Sequence, residues 1–134
     1  MPRRDAAIGE VEGLIPLLGL LAGLVLGLFL DFDIPRQYST YVALGILAAL
    51  DSIIGAIRAN LQKNFNVLLF ATGLLGNMLV AIALAALGDQ LDIQLDLAAV
   101  FAFGNRIFIN VSLIRRFLVE RAESAKKKRD AESV

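Results

Sequence analysis

Four apolar runs separated by short polar stretches organise the chain. They are Gly13–Leu30, Tyr41–Ile57, Val67–Gly88 and Leu97–Ile114. Each is close to the ~17–25 apolar residues that a helix needs to cross the hydrocarbon of a bilayer, the second and fourth at the short end. One such run alone reads equally well as a buried core helix. Four of them in 134 residues predict an all-α integral membrane bundle of four transmembrane helices. The connections DFDIPRQYST, RANLQKNFN and DQLDIQLD are short, so consecutive helices are expected to be antiparallel neighbours. The expected organisation is an N-terminal cytoplasmic segment over 1–12, a four-helix membrane domain over 13–118 and a polar tail over 119–134. The tail is expected to carry helix four into water and then fray.

Composition sharpens this. The chain is 57% hydrophobic, with mean hydropathy +0.70, against about 45–50% apolar residues in a soluble domain. There is no cysteine and no histidine. Disulfides, thiolate sites and the usual neutral-pH base are therefore excluded. Arg3 and Arg4 before the first run suggest a signal peptide, but Asp5, Glu10 and Glu12 intervene and no small-residue cleavage pattern follows, so retention is expected.

Formal net charge is zero, yet the placement of charge is informative. Basic residues collect on the cytoplasmic side of short loops. With both termini inside, Arg3, Arg4, Arg58, Lys63, Arg115, Arg116, Arg121, Lys126, Lys127, Lys128 and Arg129 are cytoplasmic, and only Arg36 is outside. The outer loops carry Asp31, Asp33, Asp89, Asp92 and Asp96 instead. The inverted topology contradicts this bias. The expected location is a membrane crossed several times, with both ends of the chain on its cytoplasmic side.

One basic residue remains, in VFAFGNRIFIN. Arg106 lies ten residues into helix four from Asp96, and Asp51 ten residues into helix two from Tyr41. At 1.5 Å per residue both lie ~15 Å from the outer surface. Asn77 lies ten residues into helix three from the opposite side, also near mid-membrane. The economical arrangement is an ion pair between Asp51 and Arg106, with Asn77 and Asn105 satisfying leftover groups. Ala48, Gly55 and Arg58 share the face of Asp51, and Arg58 is expected to snorkel to the cytoplasmic interface. Asn110 lies one turn from Arg106 on the same face. Two readings stay open for this polar stripe: a lock between helices, or a proton relay, ion path or ligand pocket.

Small residues mark packing faces. Gly19, Gly23 and Gly27 repeat a G-x-x-x-G spacing that lets another helix approach closely. Helix two has Ala48, Ser52 and Ala56, and helix three Gly73 and Gly76. Packing within the bundle is one reading; a homo-oligomer or a membrane protein partner docking on helix one is the other. The run AKKKR, Ala125 to Arg129, anchors topology and attracts anionic lipid, while Glu120, Glu123, Asp130 and Glu132 dilute any field for nucleic acid. Ser52, Thr72 and Ser112 have no evident base, Asp31 and Asp33 do not make a calcium site, and GLLAGLVLG is not a phosphate loop. No enzyme activity, cofactor or metal is expected.

LAALDSIIGAIRANLQKNF, GNMLVAIALAALGDQL and LAAVFAFGNRIFINVSLIRR resemble the bacterial small basic protein family, integral membrane proteins of unknown function. The resemblance covers Leu14 to Leu118. Its patterns fall on Asp51, Ser52, Gly55 and Arg58 and on Gly104, Arg106 and Asn110, with Asn77 and Asp89 also matching. Such proteins are often encoded beside cell-division and envelope genes, so the resemblance implies a division or envelope-assembly role; with short loops and no catalytic groups, a scaffold or accessory subunit of such a complex is the leading expectation. The departure is charge: this chain has a pI of about 6.2. The alternative is a small transporter or channel, as an oligomer or with a partner, using the polar stripe Asp51, Asn77, Arg106 and Asn110.

Overall fold

The computed structural model describes the backbone of residues 2–134 and the side chains of residues 14–134. Four helices follow one another: α1 (Pro2–Phe29), α2 (Arg36–Leu61), α3 (Val67–Leu91) and α4 (Asp96–Glu132). Among the described residues there is no strand. The helices α2, α3 and α4 are long and apolar enough to cross a membrane, and α1 has an apolar stretch over Leu14–Phe29. The expected segment 1–12 lies outside the residues whose side chains are described. The tail differs from expectation: α4 runs unbroken to Glu132. An exposed i,i+4 pair, Arg116 Nε to Glu120 Oε1 at 2.9 Å, lies on this part of the helix.

Large apolar side chains cover the outside. Leu26, Leu28, Phe29, Leu68, Leu79, Val80, Phe101 and Phe108 are all more than 60% exposed. In water, patches on this scale mark an interaction surface; on helices of membrane-spanning length they are the surface offered to lipid.

The turns show why the helices stop where they do. Lys63 takes a left-handed conformation, φ 57°. Its N–H donates to the Asn60 carbonyl at 3.0 Å, and the Asn64 N–H to the Ala59 carbonyl at 2.8 Å. This is a Schellman ending that satisfies the last carbonyls of α2. Asn66 then starts α3, its side-chain oxygen accepting from the N–H groups of Leu68 and Leu69 at 2.9 and 3.1 Å. At the far end Asp92 is left-handed, φ 54°, and the Ile93 N–H returns to the Gly88 carbonyl at 3.0 Å.

The bundle is built around α2 and has two halves. At the Tyr41 end, Leu44 and Ala48 of α2 meet Ala81 and Ala85 of α3 and Ala99 and Phe103 of α4. The buried residues of α3 are Ala81, Ala85 and Gly88, a small-residue face at i, i+4, i+7 that lets the three helices close tightly. At the Arg58 end the packing changes partners. Ile53 and Ala56 of α2 take Leu17 of α1, with Leu14, Leu20, Leu24 and Phe70 around them. Small residues in the sequence do not all serve this packing. Gly73 and Gly76 are exposed and a Cβ on either would meet nothing within 4 Å. The close approach of α3 uses its alanines instead.

Gly88 is a different case. A Cβ there would stand 2.5 Å from the Ile93 carbonyl oxygen and 3.1 Å from the Leu95 nitrogen. Gly88→Ala is expected to open the α3–α4 turn and destabilise the protein by about 1–3 kcal/mol. Gly76→Ala, which meets open space, is expected to be neutral or to stabilise by up to about 1 kcal/mol. Unfolding of the two variants in detergent by denaturant titration checks both signs.

Candidate functional site

α2 turns its Asp51 face toward α4, and the result is a charge with no surface. Asp51 is 0% exposed. Arg106 of α4 brings Nη2 to 3.4 Å from Asp51 Oδ2, while its own side chain stays 53% exposed. Neither carboxylate oxygen of Asp51 has a hydrogen-bond partner among the described groups. The contact is therefore Coulombic without the alignment of a charge-assisted hydrogen bond. An unpaired charge at mid-bilayer costs at least about 2.5–3.5 kcal/mol on insertion scales. Each of these two groups is the other's remedy, and the remedy is incomplete on the arginine side.

The uncovered part of Arg106 borders a cleft of about 430 Å³ between α2, α3 and α4. The halves of the bundle explain the opening. α3 and α4 meet at the Tyr41 end through Ala81, Ala85, Ala99 and Phe103, and toward the Arg58 end they part. Asp51, Ser52, Gly55 and Ala59 of α2 form the floor, Leu69, Gly73, Leu74 and Asn77 of α3 one wall, and Arg106, Ile109 and Asn110 of α4 the other. Asp51 stands beneath the deep end without accessible surface. The lining runs on to the α2–α3 turn, at Gln62, Asn64 and Asn66, and the exposed Leu69, Gly73, Arg106 and Ile109 leave the cleft open along its side.

The residues singled out from the sequence distribute as follows. Asn77 is half-buried on the cleft wall. Asn105 is exposed and outside the lining; one residue from Arg106 on a helix, it is turned about 100° away. It therefore does not join the cluster. Arg58 does not extend freely to the interface. Its Nη1 donates to Asn110 Oδ1 at 2.9 Å, tying α2 to α4, and Asn110 is itself buried. Gly55 permits that approach, since its Cβ position would stand 3.8 Å from Asn110 Nδ2. Ala48 is buried in the core and Ser52 half-buried on the floor.

Gly19, Gly23 and Gly27 are exposed, and a Cβ on any of them would meet nothing within 4 Å. The ridge therefore packs on no other helix of this chain. α1 leans on the bundle by a separate edge, Leu14, Leu17, Leu20 and Leu24.

One contact escaped the sequence reading. The Tyr41 hydroxyl donates to Asp89 Oδ2 at 2.6 Å, closing the end of α2 onto the end of α3. The antiparallel order already put both residues at one end of the bundle, and a phenol facing an acid there was the available signal. No group of three or more metal-binding side chains occurs among the described residues.

The matched family model is described as a protein of unknown function, DUF1290, and covers residues 34–119. That span holds α2, α3 and α4 as far as Val119, and with them the whole cleft. A protein of Bacillus subtilis (strain 168) called "Small basic protein" is 45% identical over 113 residues, 84% of this chain and 93% of that one. An uncharacterized protein of Mycobacterium tuberculosis is 36% identical over 107 residues, 78% of this chain and 88% of the relative. No solved structure matches.

The pair at the deep end makes a measurable demand. Arg106→Gln leaves Asp51 buried without a countercharge and is expected to lower stability by about 3–5 kcal/mol. Asp51→Asn, which leaves the half-exposed arginine, should cost less. The double variant is expected to cost less than the sum of the two. Unfolding titrations in detergent provide the cycle, and strict additivity would show that the two side chains are uncoupled.

Proposed function

Since the chain belongs to the small basic protein family, DUF1290, whose function is unknown, we propose a role from its architecture: a non-enzymatic four-span membrane protein that serves as a scaffold or accessory subunit of a cell-envelope or cell-division complex. In this reading both termini are cytoplasmic and the membrane is the bacterial plasma membrane. The distribution of basic residues supports the orientation, with Arg58, Lys63 and the α4 tail on one side and Arg36 on the other. The exposed run Lys126 to Arg129 at the end of α4 then meets anionic lipid.

The observation that carries the reading is the bare glycine ridge of α1. Gly19, Gly23 and Gly27 sit at the spacing that brings two membrane helices into close contact, and open space surrounds all three. A ridge unused inside its own chain serves a second helix, from a partner or another copy. The short loops leave little surface outside the bilayer, so docking through a helix is the economical route.

Transport is the rival, and the cleft is its specific support. The cleft is blind, however. Beyond Asp51 the bundle closes on Leu44, Ala48, Ala81, Ala85, Ala99 and Phe103, which leaves a single chain no polar path to the Tyr41 end. A recess that stops at this apolar core suits binding better than conduction by one chain. Asp51→Asn in a flux assay discriminates: loss of flux with intact assembly would favour transport.

Two outcomes test the proposal. The chain has no cysteine, so single introduced cysteines report topology cleanly. Asp33→Cys is expected to react with an impermeant maleimide on intact cells, and Lys63→Cys and Ser133→Cys only after permeabilisation. Crosslinking in native membranes is expected to capture one stoichiometric envelope protein or a second copy of the chain. Gly23→Leu should lose that product while membrane level and helicity persist. Recovery of the chain alone would remove the scaffold reading.

A further inference from the structure

Among the described residues the cleft holds one more positive charge than negative. Arg58 and Arg106 line it against one carboxylate, Asp51. Asp51 is matched to Arg106. Among the described residues Arg58 has no acidic partner; its one side-chain bond is Nη1 to Asn110 Oδ1 at 2.9 Å. A guanidinium has five N–H donors, so most of this fork remains available. The first turn of α3 begins at the same end of the cleft, and its N-terminal dipole adds to the attraction for an anion.

Depth and wall chemistry narrow the occupant. Arg58 lies three residues, ~5 Å, from the end of α2 at Leu61, which in the proposed topology stands at the level of lipid headgroups. Deeper in, the α3 wall is Leu69, Phe70 and Leu74, faced by Ile109 of α4. Gly73 stands between them with open space where a side chain would be. An anion site at the interface that continues into an apolar slot fits an amphiphile rather than a free ion. The volume, about 430 Å³, falls within the ~300–1,000 Å³ of ligand sites.

We propose that the cleft binds one anionic phospholipid from the leaflet at the Arg58 end. The phosphate sits on the Arg58 fork beside the α2–α3 turn, and one acyl chain lies along the α3 wall past Gly73 toward Arg106. The site is separate from the basic tail of α4 and from the glycine ridge of α1, so its failure and that of the scaffold reading are measured independently.

The test is native mass spectrometry of the full chain in neutral detergent, offered phosphatidylglycerol, phosphatidylcholine or inorganic phosphate. The wild-type chain is expected to retain one phosphatidylglycerol about fivefold or more over phosphatidylcholine, with no displacement by millimolar phosphate. Equal retention of the two lipids, or displacement by phosphate, overturns the proposal without reference to any variant. Arg58→Gln removes the charge, and Gly73→Phe fills the slot from a position where a Cβ meets nothing within 4 Å. Each is expected to lose the bound phosphatidylglycerol; Gly73→Phe does so with helicity and melting point unchanged, whereas Arg58→Gln also gives up the bond to Asn110 and melts lower. Replacing Lys126, Lys127 and Lys128 by Gln is expected to leave it bound. A folded Gly73→Phe chain with wild-type retention overturns the site even if Arg58→Gln fails to fold, and loss in the tail variant assigns the lipid to the tail instead.

Discussion

A carboxylate with no accessible surface, in a bundle whose described core is otherwise apolar save for Asn110, is the constraint on which the inner arrangement depends. Asp51 has no surface, so its environment must come from neighbouring helices. Arg106 supplies the opposite charge at 3.4 Å. Between transmembrane helices there is little hydrophobic drive, because lipid tails are as apolar as the side chains they would replace. Polar matching and close small-residue contact therefore decide which helices become neighbours. The pair ties α2 to α4 at mid-length, and the Arg58–Asn110 bond repeats the tie two turns along α2. Both ties link the same two helices, and both lie away from the end where α3 joins them closely.

Helix α3 follows from that division of labour. It is apolar on all sides, so no hydrophobic face orients it. What distinguishes one side is size, through Ala81, Ala85 and Gly88, and these residues occupy one end only. At that end the α3–α4 turn folds back so closely over Gly88 that a methyl group would collide with the Ile93 carbonyl, and the Tyr41–Asp89 bond adds a polar clasp. At the other end α3 has Gly73 and Gly76, which touch no neighbour. Smallness does two jobs in one helix: it brings backbones together where alanines face α2 and α4, and it leaves space where Gly73 borders the cleft.

Much of this was legible in the sequence, because bilayer thickness turns hydrophobic length into architecture. Four helices, their antiparallel order and the common depth of Asp51, Asn77 and Arg106 all follow from run lengths and a fixed rise per residue. Rotation about the helix axis was less legible. Depth alone does not separate Asn105 from Arg106, although their side chains point in different directions. Nor does it reveal that Arg58 reaches sideways to Asn110. The glycine motifs were the least legible. Gly19, Gly23, Gly27, Gly73, Gly76 and Gly88 look alike in sequence, yet only Gly88 meets backbone at a forbidding distance. What a glycine does depends on what stands beside it, and that is a property of the assembled helices.

The placement of the cleft gives these features a common logic. A bundle of this size cannot enclose both a dry core and a through-path, and here the core takes the Tyr41 end. The remaining half of α2 has two open flanks. One is covered by the leucine edge of α1, and the other becomes the recess beside Asp51 and Arg58. α1 therefore seals the bundle with one face while holding its glycine ridge away from it, and α3 and α4 diverge on the opposite flank without exposing the buried carboxylate. The same pair that holds α2 and α4 together, a buried carboxylate under a half-exposed arginine, thus lies where the recess meets the apolar core, which makes the recess a place to hold something rather than a route through the membrane.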